Sequence, residues 1–508
     1  MKYPIGLLLI FLLSCSSKED RFPTITKDYC ADIVPYPFDG LSNQLAALTD
    51  SADTKTGIYV LEEGDMSMLF RAWLSESAEK TIDIQYFIFS ADNIGLIAVD
   101  YILRAADRGV KVRLLVDDIM VEADADELLA LDSHPNLSIK IYNPIANIGK
   151  NLPQKLYSLT TDFSEFNQRM HNKTFVVDDQ VVITGGRNIA NEYFDYDHEY
   201  NFRDRDVLMV GGATQEVSNS FALFWDSDLS VPIKDLVKVE ASEINAGVKF
   251  EYLHQYACSP ENFWPEVRKK VNATPLFFQK LVQSEEVLWI DQVSFVSDLP
   301  GKNEAGSGLS GGGLSTDSLI SLISNAKKTI HIQTPYLVTT ELSQALFKQA
   351  IQRGVSIKVL TNSLLSTDNL EAFSGYERER KTLLDIGVDI YEFKPDAAFR
   401  FDVMKGALQK KLNYTPKFGL HAKSMAIDDE IAVIGTFNLD PRSANLNTEC
   451  IAIIHDPVIA NNLRNTMEVE LKPENAWHIT SDYNPDGEAE NSKRFQLWLR
   501  GIVPKSVL

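Results

Sequence analysis

The sequence predicts an α/β protein with two sandwich domains related by a pseudo-twofold, each a mostly parallel sheet flanked by helices. Three observations predict it. Blocks of the first half recur in the second about 250 residues later. Strand-like and helix-like patterns alternate within each half, which is the signature of strand–helix–strand units. Two short motifs, each pairing a histidine with a lysine two residues on, occupy equivalent places in the repeat.

The repeat is direct. Ala78-Glu79-Lys80-Thr81-Ile82-Asp83-Ile84-Gln85 reads onto Ala326-Lys327-Lys328-Thr329-Ile330-His331-Ile332-Gln333. Asp107-Arg108-Gly109-Val110-Lys111-Val112 reads onto Gln352-Arg353-Gly354-Val355-Ser356-Ile357, and Leu137 to Tyr142 pairs with Val388 to Tyr391. Within the first half, Thr81–Ile88 is rich in β-branched and aromatic residues and predicts a strand. Helical spacing runs from Ile94 to Arg108, with Gly109 as its stop. Val110–Val116 reads as a buried strand, Asp124–Leu131 as a helix and Leu137–Tyr142 as the next strand. The second half repeats this order near Thr329, Val355 and Val388. Domains are expected over 56–285 and 286–508.

Two segments break the alternation. Residues 143–170 predict a long loop leading into the first motif. Gly301–Thr316 is glycine-rich but lacks the Gly-Lys-Ser/Thr ending of a phosphate-cradling loop, so a surface loop bordering the site is expected. The C-terminal run Phe495, Leu497, Trp498, Leu499, Ile502 and Val503 is expected to bury against the second half.

Composition narrows the function. The net charge is -22, from 49 Lys and Arg against 71 Asp and Glu. Nucleic-acid binding draws its affinity from basic residues, so no nucleic-acid partner is expected. The same balance argues against polybasic membrane attachment. The N-terminus offers another route. Lys2 precedes an apolar run, Ile5 to Leu13, too short to span a bilayer but suited to a signal peptide. Leu12-Leu13-Ser14-Cys15 resembles a bacterial lipobox, so residues 1–14 are expected to be removed and Cys15 acylated, with 15–55 as anchor and linker. Cys30, Cys258 and Cys450 remain. Their spacing fits no zinc set, and three buried thiols are expected, with one bridge as the alternative.

The motifs carry the chemistry. His171-Asn172-Lys173 is followed by Asp178 and then Gly185-Gly186-Arg187-Asn188. His421-Ala422-Lys423 is followed by Asp428 and then Gly435-Thr436-Phe437-Asn438. Side chains on a strand alternate, so His171 and Lys173 share a face, as do His421 and Lys423. Asp178 and Asp428 take the opposite parity and a structural role. Phosphodiester cleavage needs a nucleophile, a proton for the leaving alcohol and positive charge on the non-bridging oxygens. Neutral imidazole can attack phosphorus. A second, protonated imidazole can act as acid. Two lysines, with Asn188 and Asn438, can hold the oxygens. The scheme calls for no cofactor, and the sequence offers no obvious metal site.

These paired motifs resemble the HKD motifs of the phospholipase D superfamily. Asp83-Ile84-Gln85-Tyr86, Arg169-Met170-His171-Asn172-Lys173, Asp204-Arg205-Asp206-Val207 and Asn438-Leu439-Asp440-Pro441-Arg442-Ser443 are similar more narrowly to bacterial cardiolipin synthases of the short, third type. The resemblance runs from about residue 60 to the C-terminus. It implies a covalent phosphohistidine on His171, acid-base work by His421, and a carboxylate after each motif that orients a histidine. Glu449 fits that place in the second half, and Asp206, with Asp204 as the second choice, in the first. It further implies phosphatidyl transfer between phospholipids, phosphatidylglycerol with itself or with phosphatidylethanolamine, at a membrane surface of the bacterial envelope. Hydrolysis to phosphatidic acid is the alternative, ahead of a nuclease.

Overall fold

The computed structural model describes residues 27–508 apart from 34–36, 53, 121–122, 124, 146–147, 149–167, 198, 238–245, 303–310, 405–415 and 506–507. The expected signal peptide and Cys15 lie outside the described residues, as does most of the loop expected over 143–170.

The first lobe carries strands β1 (Thr56–Leu61), β2 (Thr81–Tyr86), β3 (Lys111–Asp117), β4 (Leu137–Tyr142), β5 (Thr174–Val177), β6 (Val181–Gly185), β7 (Tyr200–Arg203), β8 (Asp206–Gly211), β9 (Ser230–Pro232) and β10 (Leu288–Ile290). The second carries β11 (Val293–Ser297), β12 (Thr329–Gln333), β13 (Ser356–Asn362), β14 (Asp389–Phe393), β15 (Lys417–Leu420), β16 (Lys423–Ile427), β17 (Ile431–Gly435), β18 (Cys450–His455) and β19 (Ala476–Ile479). Among the described residues one sheet has nine strands, ordered β10-β1-β8-β6-β5-β2-β3-β4-β9, and the other eight, ordered β11-β18-β17-β16-β12-β13-β14-β19. The shared order β8-β6-β5-β2-β3-β4 and β18-β17-β16-β12-β13-β14 makes the duplication a structural one.

The sheets are mixed, which corrects the expectation of mostly parallel strands. Within the two large sheets parallel pairing is confined to β2–β3–β4 and β12–β13–β14, where helices carry the crossovers. The motif strands are hairpins instead. Asp178 and Asp179, and likewise Asp428 and Asp429, take positive φ between 53° and 60°. A left-handed turn of that kind returns the chain beside itself, so β5–β6 and β16–β17 run antiparallel.

The lobes meet sheet against sheet. Val176, Val182, Val207 and Met209 pack with Ala426, Ala432, Ile434, Ala452 and Ile454 in one buried apolar cluster. Backbone pairing also crosses between the lobes: β7 runs parallel to β15, from Tyr200 opposite Lys417 to Arg203 opposite Leu420. Because β10 pairs with β1, the domain boundary expected between 285 and 286 moves to Asp291-Gln292. Part of the expected linker is folded. The helix Leu41–Leu45 docks on the first lobe, where Trp73 Nε1 donates to Gln44 Oε1 at 2.7 Å.

Two further expectations are corrected. Cys30 and Cys258 form a disulfide across 228 positions, leaving Cys450 as a buried free thiol. The C-terminal run does not bury: of the helix Asn491–Arg500 only Leu497 faces inward. No helix of the described residues is long and apolar enough to cross a membrane.

Candidate active site

Each motif is held by its own lobe first. The Asp178 carboxylate accepts from the backbone N–H groups of Glu79, Lys80 and Thr81 at 2.7–2.8 Å. Asp428 does the same for Lys327, Lys328 and Thr329 at 2.7–3.0 Å. These aspartates pin the hairpin turn to the start of the neighbouring strand and point away from the histidines. The residue before each histidine is fixed by the last residue of a central strand. Asp117 Oδ2 accepts from Met170 N at 2.8 Å, and Asn362 Oδ1 accepts from Leu420 N at 2.8 Å. Neither Asp117 nor Asn362 was singled out by motif. Their equivalent places at the ends of repeated strands were the available signal.

The histidines are then oriented across the lobe boundary. His171 N donates to Thr448 O at 2.9 Å, and His421 N to Arg203 O at 2.8 Å. The next residue along each partner strand supplies a carboxylate. His171 Nδ1 lies 2.8 Å from Glu449 Oε2, and His421 Nδ1 lies 2.6 Å from Asp204 Oδ2. A carboxylate only accepts, so both Nδ1 atoms carry a proton and Nε2 is left for chemistry. Each lobe therefore orients the other lobe's imidazole.

Asp204, not Asp206, is the first-lobe counterpart of Glu449. The ladder registers show why. Asp206 sits opposite Gly185 as Ile451 sits opposite Gly435, so Glu449, two positions before Ile451, matches Asp204. Asp206 instead accepts from Ser67 Oγ at 2.6 Å and Arg71 Nη2 at 3.0 Å, a buried brace within the first lobe.

The lysines complete the site. Lys173 Nζ donates to His171 O at 2.7 Å, and Lys423 Nζ to His421 O at 2.6 Å. Lys423 Nζ also lies within 2.9 Å of both ring nitrogens of His421. Burial, with the Lys423 charge added, lowers Lys173 to about 7. Burial lowers Lys423 to about 8 against the pull of Asp204. Burial also pushes both imidazoles well below the ordinary histidine value, in spite of their carboxylates. The free site thus holds two neutral imidazoles and two ammonium groups that lose protons easily. A bound anion would reverse both tendencies. Asn188 and Asn438 are buried beside the motifs. Asn188 Oδ1 accepts from Ile88 N at 3.1 Å, while Asn438 Oδ1 is buried without a hydrogen-bond partner. Phe87 packs edge-on to His171, and Tyr193 and Phe202 flank His421.

Two supports escaped sequence reading. Asp298 Oδ2 accepts from Glu449 N at 3.0 Å and from Lys302 Nζ at 2.8 Å. Gly313, from the glycine-rich loop, closes on it: a Cβ there would meet Asp298 Oδ1 at 2.5 Å. Glu62, Arg203, Arg205 and Glu470 form a buried ion cluster around the Asp204 backbone, joining the lobes. Arg187 donates to the backbone oxygens of Leu61, Glu62, Tyr193 and Asp204, so it braces its loop.

Comparison with known proteins covers both motif sets. Residues 74–225 and 319–470 each match the family described as cardiolipin synthase, PLD-like domain. The chain is 32% identical to cardiolipin synthase C of Escherichia coli (strain K12) over 453 residues, 87% of this chain and 90% of that one. It is 31% identical to an uncharacterized protein of Helicobacter pylori (strain J99) over 423 residues, 83% of this chain and 80% of the other. Among solved structures, phosphatidylserine synthase of Haemophilus influenzae Rd KW20 shares the fold with a TM-score of 0.58 at 15% identity, over 92% of this chain and 100% of that one.

Proposed function

The chain belongs to the phospholipase D-like cardiolipin synthase family, and from that premise we propose that it transfers a phosphatidyl group between phospholipids, making cardiolipin from phosphatidylglycerol. One observation carries the reading: the carboxylate of each lobe holds Nδ1 of the other lobe's histidine, so two Nε2 atoms serve one site.

In the first step His171 Nε2 attacks the phosphorus of phosphatidylglycerol. The bond from phosphorus to the glycerol headgroup oxygen breaks, and that oxygen takes the proton of His421 Nε2 as glycerol leaves. In the second step His421 removes the proton from a headgroup hydroxyl of another phosphatidylglycerol. That oxygen attacks the phosphohistidine, the phosphorus–nitrogen bond breaks, and cardiolipin is released. Lys173, Lys423, Asn188 and Asn438 hold the non-bridging oxygens. The free site disfavours a protonated His421, and the substrate's own negative charge offsets this on binding.

Acylation of Cys15 would keep the enzyme on the membrane that holds its substrates, facing the periplasm. The Cys30–Cys258 bridge supports a location outside the reducing cytosol. Purified protein incubated with labelled phosphatidylglycerol vesicles is expected to yield cardiolipin and glycerol. Phosphatidic acid as the sole product would replace transfer by hydrolysis, and neither product would reject both.

A further inference from the structure

Asp298, the residue after β11, grips Glu449 from both sides of its backbone. Its N–H donates to Glu449 O at 2.9 Å, and its Oδ2 accepts from Glu449 N at 3.0 Å. The grip matters because the Glu449 side chain is held at one oxygen. Oε2 meets both His171 Nδ1 and the Thr436 hydroxyl, while Oε1 is buried with no hydrogen-bond partner among the described residues. The backbone therefore sets where the carboxylate stands. The first lobe holds Asp204 by other means: Arg187 and Arg203 donate to its carbonyl oxygen at 2.8 and 2.7 Å.

Asp298 is itself the centre of a buried junction. Its Oδ2 also accepts from Lys302 Nζ at 2.8 Å and from Ser315 Oγ at 2.7 Å, and its Oδ1 accepts from Ser315 N at 2.9 Å. Lys302 Nζ donates onward to Ser443 O at 2.8 Å. Ser443 Oγ in turn accepts from Asn438 N at 3.2 Å. One ion pair thus joins the carboxylate that orients His171 to the segment that carries Asn438. Its side chains are 1% exposed at Asp298 and 3% at Lys302. Opposite charges buried this deeply gain little net stability over apolar residues of the same shape. What the pair does supply is a fixed distance between two parts of the site.

We propose that Asp298 and Lys302 are positioning residues for the nucleophile: they fix Glu449, and through it the Nδ1–H tautomer of His171, in register with Asn438. Neither touches a reacting atom. Asp298 acts through Glu449, and Lys302 acts through Asp298 and Ser443. The effect falls on one half-site, because His421 takes its carboxylate from Asp204, which is held by arginines. The proposal rests on the reading of His171 as a working imidazole, and not on which lipid or acceptor it serves.

The test separates tautomer from stability. Nitrogen NMR of the full chain carrying labelled histidine reads the tautomers, with His171→Asn and His421→Asn identifying the two rings. Asp298→Asn leaves one acceptor oxygen where there were two. It is expected to put His171 into a mixture of Nδ1–H and Nε2–H forms while His421 keeps Nδ1–H. Its kcat on a water-soluble phosphodiester should fall about tenfold or more with KM little changed, since a displacement of about 1 Å can cost about 10²-fold. Lys302→Met alone strands a buried carboxylate and should lower the melting temperature. Asp298→Asn with Lys302→Met removes both charges and should regain most of that temperature while kcat stays low. This double variant supplies the same NMR comparison if Asp298→Asn alone does not fold. A His171 ring that stays wholly Nδ1–H, or a double variant whose kcat returns with its melting temperature, overturns the proposal. Wild-type protein that turns over no phosphodiester would count against the reaction, and the NMR comparison would still decide the positioning role.

Discussion

The two half-sites solve one problem with different parts. On one side Glu449 reaches His171 and also accepts from the Thr436 hydroxyl. On the other, the shorter Asp204 reaches His421 and presses on Gly186, the position equivalent to Thr436. A Cβ on Gly186 would meet Asp204 Oδ1 at 2.0 Å, so the aspartate occupies the room that the threonine side chain uses across the dyad. The lysines differ as well: both bond the carbonyl of their own histidine, but Lys423 also lies against the His421 ring. Duplication supplied two equivalent frames. The two catalytic roles then call for unequal surroundings, and the differences lie within a few residues of the histidines.

The largest test of that inequality is the histidine pair. His171→Asn and His421→Asn should each lower transfer by about 10⁴-fold or more. With a substrate whose alcohol leaves without a proton, His421→Asn should still trap label on the protein at acid quench, and His171→Asn should not. Label trapped only in His171→Asn would exchange the two roles. Next come the crossed carboxylates. Glu449→Gln and Asp204→Asn should each cost about 10²-fold or more in kcat, since a wrong tautomer removes the working Nε2. Asp206→Asn should lower thermal stability through lost contacts with Arg71 and Ser67 and leave the histidine tautomers intact.

The pH profile is a finer probe. Burial depresses both imidazoles, so the nucleophile stays neutral as pH falls through the ordinary histidine range, and the acid limb of kcat/KM should lie below pH 6.5. The lysines lose their charge above about 7 and about 8, which sets the base limb. An acid limb at 6.5 or above would show imidazoles less buried than this. The smallest effect is on stability. A buried ammonium with a depressed pKa costs folding energy at neutral pH and less as pH rises. Lys173→Met should therefore raise stability, on the order of 1–3 kcal/mol in a melting experiment, while transfer is lost.

Much of this was legible in the chain. The repeated blocks marked the two lobes, and strand parity separated Asp178 and Asp428 from their histidines. What escaped was tertiary. The crossing of Glu449 and Asp204 between lobes follows from β7 lying beside β15 and from Met170 beside Thr448, which no local pattern encodes. Asp206 misled because the interval from motif to carboxylate is not repeated, 33 residues from His171 to Asp204 against 28 from His421 to Glu449, so only the ladder register identifies the counterpart. The mixed sheets escaped because the alternation of strand and helix marks the parallel units and says nothing of which other strands add beside them. The disulfide joins residues too far apart for spacing to pair them. The C-terminal helix misled because its apolar periodicity is the same whether its partner is a protein core or something else.

The exchange of carboxylates bears on ancestry. A single unduplicated lobe would carry a histidine without its own orienting acid, and an acid without a histidine to orient. Two identical lobes related by a twofold axis would repair both deficits at once. Such a homodimer would be self-sufficient, and joining the two lobes in one chain lets each acid change without changing its twin.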